Sequence, residues 1–473
     1  MNNNPICRSR NTLTTKVAAL ITLIALIPLS GCDKIKDLQS GKGFSAKYMC
    51  SYLFNSGLDE DLVKNRFVAP KVQPLPFFWQ IDIDYENKAV TVGEGVFLNE
   101  ELKGRAVYRD NIGCTLLVDQ TPESVLSNTI TPATPPSLPE DQPWPQGRAG
   151  IDTSDLPNLD QALIADAIEQ AFTEPQEVPL NTTSFLVAYK GKLIAERYAL
   201  GVTEQTPLLG WSMTKTLAAT LIGILQDQGK LDIDDPAPIP GWPGTIKEII
   251  TTRDILHMAS GLDFNEDYGG KSDVTKLLYE TSDQIAYAAS RESIYVPGTV
   301  FNYSTGDANL LSKIVHDASG GTTQSAYDFY QSQLFHKVGV TSAFIEVDAQ
   351  GHFVGGAYGF MTARDWLRMG QLYLQQGQWN GMQVVSSDWI DFITQPSPAA
   401  YFYGGQIWLN ERGNEWPELP HDTYYFAGHQ GQRVIVIPSE DLVVVRTGVT
   451  EDYNYLNLGA AVSGVIDAIH QGQ

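Results

Sequence analysis

From Phe77 to Tyr85 apolar and polar residues alternate, with Trp79, Ile81, Ile83 and Tyr85 on one side and Gln80, Asp82 and Asp84 on the other. That is the period of a half-buried strand. Glu86-Asn87-Lys88 predicts the turn into a partner strand near Ala89 to Val92, and Arg105 to Val118 supplies further strand material containing Cys114. Residues 32–120 are therefore expected to form a small β-rich accessory unit. Between Thr121 and Gly147 stand seven prolines, at 122, 132, 135, 136, 139, 143 and 145. They bar a continuous helix or central strand, so 121–150 reads as a linker or a segment wrapped on a surface.

The remainder, 151–473, opens with an amphipathic helix near Asp160 to Phe172. Two apolar runs flanking Lys190-Gly191-Lys192 then predict a β-hairpin over Thr183 to Ala199. A second hairpin is expected where Arg433 to Ile437 and Leu442 to Arg446 flank Pro438-Ser439-Glu440-Asp441. Its unbroken apolar runs imply strands covered on both faces. The stretch from Leu217 to Leu225 is apolar nearly all round and predicts a buried helix, and 245–395 reads as helix and loop. Strands at both ends with helices between them predict one antiparallel sheet built from distant segments, an α+β architecture.

Composition narrows the possibilities. Of the 473 residues, 32 are Lys or Arg against 55 Asp or Glu, a net charge of −23, and no basic cluster is present. Nucleic acid is thus not an expected partner. Residues 1–16 carry Arg8, Arg10 and Lys16 and no acid, and the apolar run Val17 to Leu29 follows. That is the layout of a secretory signal, too short to span a bilayer. Leu29-Ser30-Gly31-Cys32 resembles the lipobox of bacterial lipoproteins, which implies removal of 1–31, lipidation of Cys32 and a membrane-anchored place on the periplasmic side of the cell envelope. The shortened chain would carry 29 basic against 55 acidic residues, so lipid rather than charge must hold it to a membrane. Of the four cysteines only Cys50 and Cys114 then remain. In an exported protein they predict one disulfide, with two buried thiols as the alternative. No C-x-x-C or H-E-x-x-H occurs and the seven histidines are scattered, so neither a metal nor another cofactor is expected.

Trp211-Ser212-Met213-Thr214-Lys215 holds the only S-x-x-K in the chain, and Lys215 is the only charged residue between Glu204 and Asp227. A lysine in a buried helix is costly unless paired or neutral. Three residues apart, Ser212 and Lys215 share one helical face in the first turn, so the amine can reach the hydroxyl. This motif resembles that of the serine β-lactamase and penicillin-binding-protein superfamily, in its class C-like branch with esterases, DD-peptidases and 6-aminohexanoate-dimer hydrolases. Further stretches fit in order. Phe301-Asn302-Tyr303-Ser304-Thr305 resembles the second motif, Tyr-x-Asn, and Gly428-His429-Gln430-Gly431 the third, where β-lactamases carry Lys-Thr-Gly. Leu256 to Leu262 and Gly359 to Asp365 also resemble stretches of this branch.

The resemblance covers about 180 to 450. It implies a β-lactamase/transpeptidase-like fold, with an antiparallel sheet flanked by helices and a helix-rich insertion. It also implies Ser212 as nucleophile, Lys215 and Tyr303 as proton carriers, His429 and Gly431 beside the substrate, and the N–H groups of Ser212 and Gln432 as an oxyanion hole. Thr305 stands where the family commonly has Asn, and His429 where β-lactamases have Lys. A histidine with an ordinary pKa near 6.5 is mostly neutral at pH 7, so small ester or linear amide substrates without a carboxylate are expected. A DD-peptidase or weak β-lactamase is the alternative, and a non-catalytic envelope-binding protein that kept the fold is a second. An α/β-hydrolase is disfavoured because Gly210-Trp211-Ser212-Met213-Thr214 lacks the second glycine of G-x-S-x-G.

Overall fold

The computed structural model describes residues 31–471 except 73–78, 95–102, 157–158, 176–177 and 453–454. The expected signal segment therefore lies outside the described residues, apart from Gly31. Cys32 falls in the first turn of a helix whose side chains are described only from residue 38 onward.

The main sheet has six strands, all antiparallel to their neighbours. Thr182–Tyr189 (β5) and Lys192–Tyr198 (β6) form the first hairpin, turning through Lys190 at φ 50° and Gly191 at φ 72°. Trp408–Leu409 (β7), Tyr424–Gly428 (β8), Gln432–Ile437 (β9) and Leu442–Gly448 (β10) complete it in the order β7-β8-β9-β10-β5-β6. The chain's late strands thus pair with its early ones, Val444 opposite Val187. Alternation along β10 explains the unbroken apolar run. Leu442 and Val444 pack with Gln161–Phe172 (α2) and the terminal helix Leu458–Gln471 (α6) on one face. Val443 and Val445 face the opposite way, with Leu367 and Met369 of Ala363–Leu374 (α5) and with Met213–Asp227 (α3). The sheet is sandwiched between helix layers, as the α+β reading requires.

Ahead of that sheet, Trp79–Asp84 (β1), Ala89–Glu94 (β2), Gly104–Arg109 (β3) and Gly113–Leu116 (β4) form an antiparallel meander. The accessory unit is not simply β-rich, however, because it begins with the 20-residue helix Gly31–Cys50 (α1) and continues helically through most of the chain to Val72. This helix has no clear apolar stripe: Lys42 and Lys47 are buried in it beside Phe44, Tyr48 and Met49. Helix and meander touch closely, since a Cβ on Gly104 would lie 2.3 Å from the carbonyl oxygen of Lys42. A disulfide joins Cys50 at the end of α1 to Cys114 on β4, with the Cα atoms 6.0 Å apart.

The accessory unit shares one continuous core with the rest of the chain. Glu346, at the end of the short strand Phe344–Ile345, accepts from Lys47 Nζ, from Ser51 Oγ (2.8 Å), from Asn55 Nδ2 (2.7 Å) and from the Cys114 N–H (2.7 Å). Both Lys47 and Glu346 are 1% exposed. The proline-rich segment lies along the body: Arg368 donates to the carbonyls of Pro145 and Gly147, and Trp144 is buried with its indole N–H on the Arg364 carbonyl.

Candidate active site

Helix α3 begins at Met213 with Ser212 as its N-cap, and every residue from Met213 to Leu225 is buried. Trp211, just before the serine, adopts φ 49°, a left-handed conformation that costs a bulky residue roughly 1–2 kcal/mol. The surroundings over-determine it. Tyr48 of α1 packs on the Trp211 ring at 4.8 Å, and His429 meets its edge at 5.0 Å. The Trp211 carbonyl accepts from Thr214 Oγ1 at 2.6 Å. The Gly210 N–H bonds to the Gly359 carbonyl and the Gly359 N–H to Thr214 Oγ1, so the 359–365 stretch pins the turn that presents Ser212.

Lys215 Nζ makes three hydrogen bonds: to Ser212 Oγ (2.9 Å), to Thr305 Oγ1 (2.9 Å) and to the Gly356 carbonyl (2.7 Å). Burial pulls its pKa down to about 8, against the charge of Glu266, which raises it. About a tenth of the amine is therefore unprotonated at pH 7, against a negligible share for an ordinary lysine.

Tyr303 stands just before Thr305–Ala318 (α4). Lys215 Nζ lies 4.9 Å from the centre of its ring, and Trp408 and Tyr403 flank it at 5.3 and 6.0 Å. Burial, and then the Glu266 charge, push the Tyr303 phenol up, outweighing hydrogen bonds with Ser212 and Trp408 that favour the phenolate. Tyr303 is thus a phenol, able to donate a proton. The 256–262 stretch holds this motif in place: the Asn302 N–H bonds to the Met258 carbonyl, Asn302 Nδ2 to those of Leu262 and Phe264, and Ser260 Oγ to Asp307.

The third motif is the tight turn between β8 and β9, with Gln430 at φ 59° and Gly431 at φ 83°. A Cβ on Gly428 would fall 2.2 Å from the Gly210 carbonyl oxygen, so glycine lets this turn lie directly against the Ser212 loop. Arg446 ties down the carbonyls of Gln430 and Gly431, Gln432 Nε2 those of His429 and Gln430, and Gln430 itself reaches Glu451 at 2.5 Å. His429 stacks on Tyr268 at 4.6 Å. Burial, helped by the charges of Lys71 and Arg433, pulls its pKa down to about 3. It is neutral at pH 6 as well as at pH 7, which tightens the expectation from an ordinary histidine.

Ser212, Lys215, Tyr303 and the turn holding His429, Gly431 and Gln432 therefore meet, while Cys50 and Cys114 lie in the accessory unit. Sequence reading missed Glu266, Gly356, Trp408 and Arg433. Arg433 places a permanent charge close enough to act on both Tyr303 and His429. Glu266 sits in an acidic loop, Asp263-Phe-Asn-Glu-Asp-Tyr268, that reads as solvated surface. Among the described residues Asp283, Asp348 and His352 alone group as metal-capable side chains. Their carboxylates already cap the backbone N–H groups of Gln284, Ala286, Gln350 and His352.

A family model described as Beta-lactamase matches residues 166–450. The 6-aminohexanoate-dimer hydrolase of Paenarthrobacter ureafaciens is 26% identical over 314 residues, 60% of this chain and 77% of its own. A family VIII carboxylesterase structure is similar with a TM-score of 0.52 at 17% identity, over 69% of this chain and 99% of its own. A penicillin-binding-protein homologue from Caulobacter crescentus gives 0.50 at 15% identity, over 66% and 97%. These two structures speak for the fold alone.

Proposed function

This chain belongs to the β-lactamase family of hydrolases, and from that premise we propose that it cleaves ester or linear amide bonds of small substrates through an acyl-enzyme on Ser212. The observation that carries the reading is the buried Lys215 amine, 2.9 Å from Ser212 Oγ and lowered to about 8. Ser212 Oγ attacks the carbonyl carbon while its proton passes to Lys215. The N–H groups of Ser212 and Gln432 hold the oxyanion. The C–O or C–N bond then breaks, and the leaving group takes the Tyr303 proton, which Lys215 restores. Water, deprotonated in the reverse sense, releases the acid. Linear amides are supported by the name of the Paenarthrobacter relative, and esters by the same attack of a serine on a carbonyl carbon, with an easier leaving group.

The test is labelling with a fluorophosphonate probe and turnover of p-nitrophenyl esters, a linear aminohexanoate amide and a chromogenic cephalosporin. Wild-type protein should label and Ser212→Ala should not; labelling of Ser212→Ala would refute the nucleophile, and an unlabelled wild type would favour a binding protein. Arg433 favours one other reading, a DD-peptidase or weak β-lactamase, since it could meet a substrate carboxylate; cephalosporin turnover faster than ester turnover would select it. Residues 29–32 support export and lipidation at Cys32, so Cys32→Ser should move the protein from the membrane to the soluble fraction with its activity retained.

A further inference from the structure

Resting on the serine-hydrolase reading, we propose that Glu266 is a positioning residue that acts through Thr305 to aim the Lys215 lone pair at Ser212. Glu266 Oε2 accepts the Thr305 backbone N–H at 2.8 Å, and Oε1 accepts the Thr305 hydroxyl at 2.5 Å. A threonine hydroxyl has one hydrogen. With that hydrogen on Glu266, Thr305 Oγ1 can only accept from Lys215. The Gly356 carbonyl on the other side of the amine can also only accept.

A neutral lysine amine has two N–H bonds and one lone pair, and two of the three Lys215 partners demand an N–H. The lone pair is left for the third, Ser212 Oγ. After the serine proton arrives, the ammonium donates to all three partners, and none of them has to turn. An amide at 266 has one oxygen for the two Thr305 donors; with it on the backbone N–H, its NH2 faces Oγ1 and the hydroxyl hydrogen turns to the lysine lone pair, competing with Ser212. The Asn usual at position 305 would supply its own acceptor. Thr305 and Glu266 together replace it.

The groups facing this chain are Tyr268, whose hydroxyl is 3.4 Å from Glu266 Oε1, together with Tyr279, Tyr303, Tyr403 and Asp307. The tyrosines are pushed up and neutral, and Asp307 is pushed up to about 7 by burial. Burial raises the Glu266 carboxyl as well, while the Lys215 charge and the Thr305 hydrogen bonds pull it back down.

The experiment is the pH profile of kcat/KM for p-nitrophenyl butyrate with wild type, Glu266→Gln, Thr305→Val, Thr305→Ser and the Glu266→Gln/Thr305→Val pair. Glu266→Gln should lower the alkaline plateau about tenfold or more. Its acid limb should also move to lower pH by roughly one unit, because the lost negative charge no longer holds the proton on Lys215. A merely structural defect would lower the plateau and leave the limb in place. Thr305→Val should lower the plateau equally, the pair should be no worse than either single variant, and Thr305→Ser should retain wild-type rates. Additive losses, or a Thr305→Val enzyme at wild-type rate, would overturn the proposal whether or not Glu266→Gln folds. A wild type that fails to label with fluorophosphonate would instead defeat the serine-hydrolase reading, and this inference with it.

Discussion

Replacing Glu346 by alanine should destabilise the protein far more than loss of a single surface carboxylate would. The side chain is 1% exposed and takes four donors, one of them the ammonium of Lys47, itself 1% exposed. Alanine leaves that ammonium buried with only Ser51 Oγ at 3.1 Å and the Cys114 carbonyl at 2.9 Å as acceptors. Breaking a buried ion pair from one side costs about 3–5 kcal/mol. Removing both charges should cost much less. In Lys47→Met/Glu346→Gln no ion is stranded, and the carbonyl of the introduced amide still accepts. The double variant should lie within about 1–2 kcal/mol of wild type. The assay is urea unfolding followed by tryptophan fluorescence, with midpoints compared at unchanged m. Glu346→Ala within about 1 kcal/mol of wild type, or a double variant less stable than Glu346→Ala, would refute the reasoning.

Two further outcomes are expected. Because His429 is held neutral down to about pH 3, lowering the pH from 7.5 to 6 should not increase cephalosporin turnover, and a rise that disappears in His429→Gln would contradict the burial of that ring. Cys50 and Cys114 close a loop of 64 residues, so Cys50→Ala/Cys114→Ala should lose about 4 kcal/mol on the chain-entropy relation; an unchanged denaturation midpoint would show that the unfolded chain does not gain that freedom.

The Ser212–Lys215 pair was legible because of contrast: Lys215 is one charge in a long apolar run, and the cost of burying an amine gives such a charge meaning from the order of residues alone. The hairpins around Lys190-Gly191 and Pro438 to Asp441 were legible through runs of β-branched residues and turn residues. Helix α1 was not, since Lys42 and Lys47 turn inward and their positive charges mask the apolar face; the partner that makes Lys47 tolerable, Glu346, is 299 positions away. Glu266 was hidden for a related reason. Its neighbours Asp263 and Asp267 are exposed, and only the fold reveals that Glu266 turns the other way, towards Thr305. Arg433 was visible in sequence as the start of a strand, but its bearing on His429 and Tyr303 depends on the turn that precedes it.

The packing of Tyr48 on Trp211 and the hub at Glu346 set the order in which this protein can be made. Helix α1 leaves the ribosome early, and although the meander covers part of it, the rest of its inner face is covered by Trp211, Tyr279, Glu346 and Tyr358. Until about three quarters of the chain has emerged, the Lys47 ammonium and a row of aromatic rings lack the partners that complete their native packing. The amino-terminal unit therefore cannot complete its folding as synthesis proceeds. It waits for residues 151–473 and closes with them, so the turn that presents Ser212 and its aromatic support become ordered in the same event.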